Sequence, residues 1–318
     1  MSDPTTAAAG TATDAAAYVT APEHVTSGPG KPRSLWSDAW RDLRHRPLFL
    51  IAGAIIVLLV VIALFPGLFT SADPIHKDLD HFREGPSADA WFGYDGQGRD
   101  VFARVVHGTR WTLLVGVAAT VLTVLVGGLF GILAGYVGGW LDALISRVGE
   151  VFFGLPFVLG AVVILNLVRN AEIRGALPIV FAVVASIAAL SWPVAMRIMR
   201  SAAIAAKQQD YVRAARGLGA SPARVIFRHL LPNCLAPVLV YGTIALGAFI
   251  SAEATLSFLG IGLRDPVVSW GVMISDARTY IRIAPHMLLF PAGFLAVTVL
   301  AFVMLGDAIR EALDPKLR

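Results

Sequence analysis

Six apolar runs, each of roughly bilayer-crossing length, constrain this chain more than any other feature. They span 47–70, 111–138, 150–168, 176–196, 234–260 and 287–306. The first contains LFLIAGAIIVLLVVIALFPGLFT without a single charge. Lipid offers no water to backbone N–H and C=O groups, so a run of this kind must satisfy them internally, as a helix does. Period-2 alternation is missing, which excludes a barrel. Apolar residues make up 56% of the chain and charged residues 15%, against about 25% charged in a soluble domain. The expected fold is all-α: a polytopic integral membrane protein with six transmembrane helices.

The segments between the runs set the organisation. Residues 1–34 are rich in Ala, Thr, Ser, Gly and Pro and read as a disordered tail, with no basic start and apolar core of a secretory signal. Residues 35–46 place Trp36, Trp40 and Leu43 on one helical stripe, with Arg41, Arg44 and Arg46 largely elsewhere. That pattern predicts an interfacial amphipathic helix. A loop at 71–110 separates the first two runs. The 26 Lys and Arg residues divide 16 to 10 between the two faces that six crossings define. The richer face holds the N-terminal segment, Arg147, the stretch Arg197–Arg228 and the C-terminus, so both termini are expected in the cytoplasm. In the second run Gly127, Gly131, Gly135 and Gly139 recur every four residues, a spacing that lets another helix approach closely.

Several chemistries are excluded. No P-loop occurs, since GPGK at 28–31 runs into Pro32. There is no zinc-protease motif, no paired cysteine and no catalytic triad; Cys234 reads as a small buried hydrophobe. Nothing points to nucleic acid. The acids of 71–110, with His76 and His81, read as a solvated surface rather than a metal cluster. One ionisable residue, Glu253, lies inside a run. A carboxylate there must face a bundle interior, a cavity or a partner, and polar groups of a partner are the expected contact.

The segment 197–233 is different again. It carries seven bases, from Arg197 to Arg228, and one acid, Asp210. Ala214 and Ala215 favour helix, Gly217 and Gly219 break it, Ser221 suits an N-cap and Pro222 the first helical position. Pro232 is expected to end that second piece before the next span. A short surface helix, then glycine and a turn, suits docking into another protein's groove.

This segment resembles the EAA loop of ABC importer permeases, whose pattern is Glu-Ala-Ala, three residues, Gly, nine residues, then Ile-x-Leu-Pro. Ala214, Ala215, Gly219, Leu231 and Pro232 match it, while Arg213 stands in place of the Glu and His229 in place of the Ile. YDGQGRDVFARVVHGTRWTLLVG, EATLSFLGIGLRDPVVSWGVMI and the terminal LGDAIREALDPKLR resemble the C-type subunit of the dipeptide/oligopeptide/nickel subfamily, whose members commonly carry Arg at the glutamate position. The resemblance implies the type I ABC importer transmembrane-domain fold and a non-catalytic subunit in a bacterial plasma membrane. It implies a second permease subunit, one or two ABC ATPase subunits that bind ATP and Mg, and an extracytoplasmic binding protein delivering peptide. The ATPase-coupling residues would be Arg213, Ala214, Ala215, Arg216, Gly217, Leu218, Gly219, Ala220 and Ser221, followed by Leu231 and Pro232. Nickel chelates or other small solutes are alternative cargoes. A different class, a proton-driven carrier using Glu253, is the rival.

Overall fold

A computed structural model of the protein describes residues 43–170 and 175–313. The expected tail 1–34, and the 35–42 part of the interfacial helix with Trp36 and Trp40, lie outside the described residues. What remains of that segment is tied down: Leu43 is buried with Ala308 and Ala312, and Arg46 pairs with Glu311.

The described chain is helical, with an isolated antiparallel bridge between Tyr94 and Asp100. Helix α1 is Pro47–Leu64, apolar on every side as a lipid-facing helix must be. Loop 65–100 leads to α2, Val101–Val137, whose N-terminus is capped by the Asp100 carboxylate accepting from the Ala103 amide at 3.0 Å. Then come α3, Gly139–Phe153; α4, Phe157–Asn170; α5, Ala176–Lys207; and the short α6, Asp210–Gly217. Helix α7 runs Pro222–Phe258, with a π-helical turn at Val225–Leu230. Helices α8, Trp270–Ala277, and α9, His286–Leu313, complete the described chain. Five of these helices are long and apolar enough to cross a membrane, six if α3 and α4 count as one broken span.

Several elements differ from the sequence-based expectation. Helix α2 starts ten residues before the apolar run at 111, because Val101, Val105 and Thr109 are buried and helical despite Arg104 nearby. The run 150–168 is not one span by itself. It takes in the last turn of α3 and most of α4, and these helices meet at 92° across Gly154–Pro156, since proline can neither donate to the helix ladder nor fit against the preceding turn. Pro232 does not end a helix; α7 passes through it. The π turn explains this. The Leu231 amide still donates to Ile226, five residues back, and Pro232, having no amide hydrogen, falls where bonding returns to the four-residue repeat. Three of the four spaced glycines pack as expected. A Cβ on Gly127, Gly131 or Gly135 would come within 2.4–2.8 Å of α5 atoms, including the backbone oxygens of Trp192, Met196 and Arg200. Gly139 has nothing near its Cβ position; with Gly138 it forms the positive-φ break between α2 and α3.

Candidate functional site

Helix α6 sits at the end of the bundle where α2 and α5 finish and α7 starts. Its register follows from one apolar anchor. Val212 is fully buried with Val225, Leu230, Cys234 and Met199, which turns the rest of the eight-residue helix outward. Arg213, Ala214, Arg216, Gly217, Leu218, Gly219 and Ser221 are exposed, and Ala215 and Ala220 half-buried. Leu218, between Gly217 and Gly219, is 90% exposed.

The turn after α6 is built as a left-handed C-cap. The Leu218 amide donates to Ala214 O, Gly219 to Arg216 O at 2.9 Å, and Ala220 to Ala215 O at 3.0 Å. Gly219 has φ +81°, a conformation costly for any residue with a Cβ, and open space around its Cβ position. Ser221 then caps α7, its hydroxyl accepting from the Arg224 amide at 3.4 Å with Pro222 at the first helical position. Tyr136, near the end of α2, braces the segment: the Arg216 guanidinium lies 5.0 Å from its ring, and Lys207 Nζ donates to its carbonyl at 2.6 Å. Bidentate bonds from Arg200 to Asp142, at 2.5 and 2.7 Å, tie α3 to α5 nearby. Leu231 is half-buried and Pro232 exposed. The coupling candidates therefore form one outward surface on a fixed base, with Leu231 and Pro232 one helical step behind it.

Glu253 is elsewhere, toward the opposite end of α7, and fully buried. Its contacts come from its own chain and not from a partner. Oε1 accepts from the Ser257 hydroxyl at 2.7 Å and from the Ser269 hydroxyl at 2.9 Å, while Oε2 has no hydrogen-bond partner among the described residues. Ser257 in turn accepts from the Leu263 amide at 3.0 Å, and Ser269 caps α8. One carboxyl thus holds the 259–269 connection against α7. Gly271 allows a close approach, since a Cβ there would lie 2.6 Å from Ala254 Cα.

At the same end is a cluster that the sequence reading assigned to a solvated surface. Asp95 Oδ2 accepts from Arg99 Nε at 2.7 Å and Arg104 Nη1 at 2.5 Å, while Oδ1 accepts from the Gln97 and Arg99 amides. Asp276 on α8 accepts from both arginines, at 3.2 and 3.4 Å. Asp95, Arg99 and Arg104 are buried. Burial opposes ionisation of Asp95, but the Arg104 and Arg99 guanidiniums and the two amides outweigh it and hold the carboxyl below its ordinary range. The Asp95–Arg99 spacing of four was the one signal in the sequence; Asp276 lies 172 residues beyond Arg104.

Comparison with known proteins adds the family. The model for "Binding-protein-dependent transport system inner membrane component" matches residues 127–318, and that for "N-terminal TM domain of oligopeptide transport permease C" matches 34–86. The glutathione transport system permease protein GsiD of Salmonella typhimurium is 39% identical over 291 residues, covering 91% of this chain and 93% of its own. GsiD of Shigella flexneri matches with the same identity and coverage. A solved structure of the MetNI methionine ABC transporter in inward-facing conformations superposes with a TM-score of 0.54 at 20% identity, over 66% of this chain and 96% of its own; at that identity it speaks for the fold alone. The chain therefore belongs to the binding-protein-dependent transport system inner membrane components, and is a membrane-spanning, non-catalytic permease subunit of an ABC importer.

Proposed function

We propose that this permease forms half of the membrane pathway for small peptides, that α6 is its ATPase-docking helix, and that both termini and α6 face the cytoplasm. The partners on this reading are a second permease subunit, one or two ABC ATPase subunits that hold ATP and Mg, and an extracytoplasmic binding protein that delivers the peptide. The observation that carries the docking assignment is that buried Val212 anchors α6 and leaves Arg213, Ala214, Arg216, Leu218 and Ser221 together on one exposed face. The match of 214–232 to the EAA spacing supports the same surface. The peptide cargo is supported by relatives whose printed role is glutathione transport, glutathione being a tripeptide. A proton-driven carrier finds little support, because Glu253 is occupied by two serines and no second acid stands beside it.

Gly219 supplies the test. Gly219→Ala adds the strain of a Cβ at φ +81°, about 1–2 kcal/mol, and little bulk. Gly219→Leu adds the same strain plus a side chain projecting from the docking surface. In the assembled importer, Gly219→Leu is expected to lower peptide-dependent ATP hydrolysis and uptake together, far more than Gly219→Ala does. Hydrolysis that stays fully coupled to uptake in Gly219→Leu removes α6 from the docking role.

A further inference from the structure

We propose that Arg169 and Arg264 form an anion site that receives a carboxylate of the transported substrate at the outer mouth of the pathway. This deepens the peptide-import reading and rests on it. At the end of the bundle opposite α6, the end of α4, the start of α5 and the turn after α7 enclose a cleft. Leu165, Ile179 and Val183 wall it on one side, Gly262 on another, and Arg169 and Arg264 both line it.

Both arginines are exposed, and three features bear on what they can bind. First, neither arginine has an ion pair or hydrogen bond among the described residues, so both guanidiniums keep their donors for an incoming anion. Asp265, next to Arg264 in sequence, pairs with neither. Second, the turn that carries Arg264 is fixed. Gly262 donates to Leu256 O at 2.9 Å, Leu263 donates to the Ser257 hydroxyl, and a Cβ on Gly262 would lie 2.5 Å from the Ser257 nitrogen. That turn is therefore seated directly on the Glu253–Ser257 pair. Third, the size is selective. The free space is about 30 Å³, enough for roughly two water-sized groups, which is what the two oxygens of a carboxylate need. Guanidinium matches carboxylate with two parallel bonds. The cleft holds one end group of a peptide rather than the whole molecule. A lipid phosphate shares this anionic chemistry, so the test must separate the two sources.

The assembled importer is reconstituted in phosphatidylcholine proteoliposomes and supplied with its binding protein, loaded to matched occupancy with trialanine or with trialanine amide. Comparing wild type with Arg169→Gln/Arg264→Gln for both peptides cancels any preference of the binding protein itself. The double variant is expected to lose trialanine uptake by about tenfold, as for loss of a charge-assisted bond, with trialanine amide uptake nearly unchanged. Arg169→Lys/Arg264→Lys, which keeps both charges, should retain most of the trialanine uptake. Equal losses for the two peptides, or no loss, overturn the site while leaving peptide import standing. A deficit that appears only when phosphatidylglycerol is added, and for both peptides alike, assigns the arginines to lipid and also overturns it. A wild-type complex that imports neither peptide overturns the peptide reading itself, and this inference with it.

Discussion

Replacing Asp95 by alanine would remove the centre of a buried ionic cluster, and the structure sets the expected cost. Asp95 accepts four hydrogen bonds, two from guanidiniums and two from amides. Its side chain is 8% exposed and that of Arg104 is 1% exposed. Without Asp95, Arg104 keeps only its 3.4 Å contact to Asp276, and its Nε already lacks a partner. Removing one member of a buried pair costs about 3–5 kcal/mol, and the surviving Asp276 contact argues for the lower end, about 3 kcal/mol. Asp276 is different. Its side chain is 45% exposed, so Asp276→Ala should cost about 1 kcal/mol or less. The difference of about 2 kcal/mol corresponds to roughly 4–8 °C in melting midpoint, measurable by intrinsic fluorescence of the purified chain in detergent. The pH dependence gives a second check. The folded carboxyl titrates below its unfolded value of about 3.9. Its stabilisation is therefore complete above that pH and lost as pH falls through the folded value. The gap between wild type and Asp95→Ala should hold at neutral pH and close below about pH 4. Equal melting shifts for the two alanine variants, or a gap that does not close in acid, would refute a buried, ionised cluster.

Two further perturbations probe the helix core. Glu253→Gln keeps an oxygen able to accept from Ser257 and Ser269 and should change the melting midpoint little, whereas Glu253→Ala leaves both hydroxyl hydrogens without an acceptor in a closed site and should cost about 2–4 kcal/mol; equal losses in thermal unfolding would show that the serine bonds do not hold the connection. Gly131→Ala forces a Cβ to 2.4 Å from the Met196 carbonyl oxygen and should cost about 1–3 kcal/mol, while Gly217→Ala, with nothing within 4 Å and no positive φ, is its neutral control; matching melts for the two would rule out close packing of α2 on α5.

The long crossings were legible because lipid demands apolar residues on every side, and α1, α5, α7 and α9 declared themselves that way. The local grammar of the 208–232 segment was legible too. Ser221 and Pro222 mark a helix start whatever the fold around them, and Gly219 marks a left-handed turn. Contacts distant in sequence were not. Arg104 looks like a loop residue until Asp95 and Asp276 neutralise it, which only the tertiary arrangement reveals. Ser257 could be matched to Glu253 from their spacing of four, but Ser269 arrives on a separate helix. Pro156 announced a bend without its size, and Pro232 announced a helix end that the π turn made unnecessary. Nothing in the sequence distinguishes Val212, which faces inward, from Leu218, which faces out; packing against Val225 and Leu230 decides that.

The continuity of α7 has a mechanical consequence. From Pro222 to Glu253 the helix is about 47 Å long at about 1.5 Å per residue, and near Glu253 it is held by the Ser269 hydroxyl on Glu253 and the Leu263 amide on Ser257. It is a lever with its fulcrum at one end. A tilt of about 5° there moves the α6 end by about 4 Å over that length. The turn bearing Arg264 lies just beyond the fulcrum, so the same tilt moves it by only about an ångström, and in the opposite direction. On the docking reading, a displacement at α6 would reach the Glu253 end of α7 only as far as the π turn at Val225–Leu230 holds its shape.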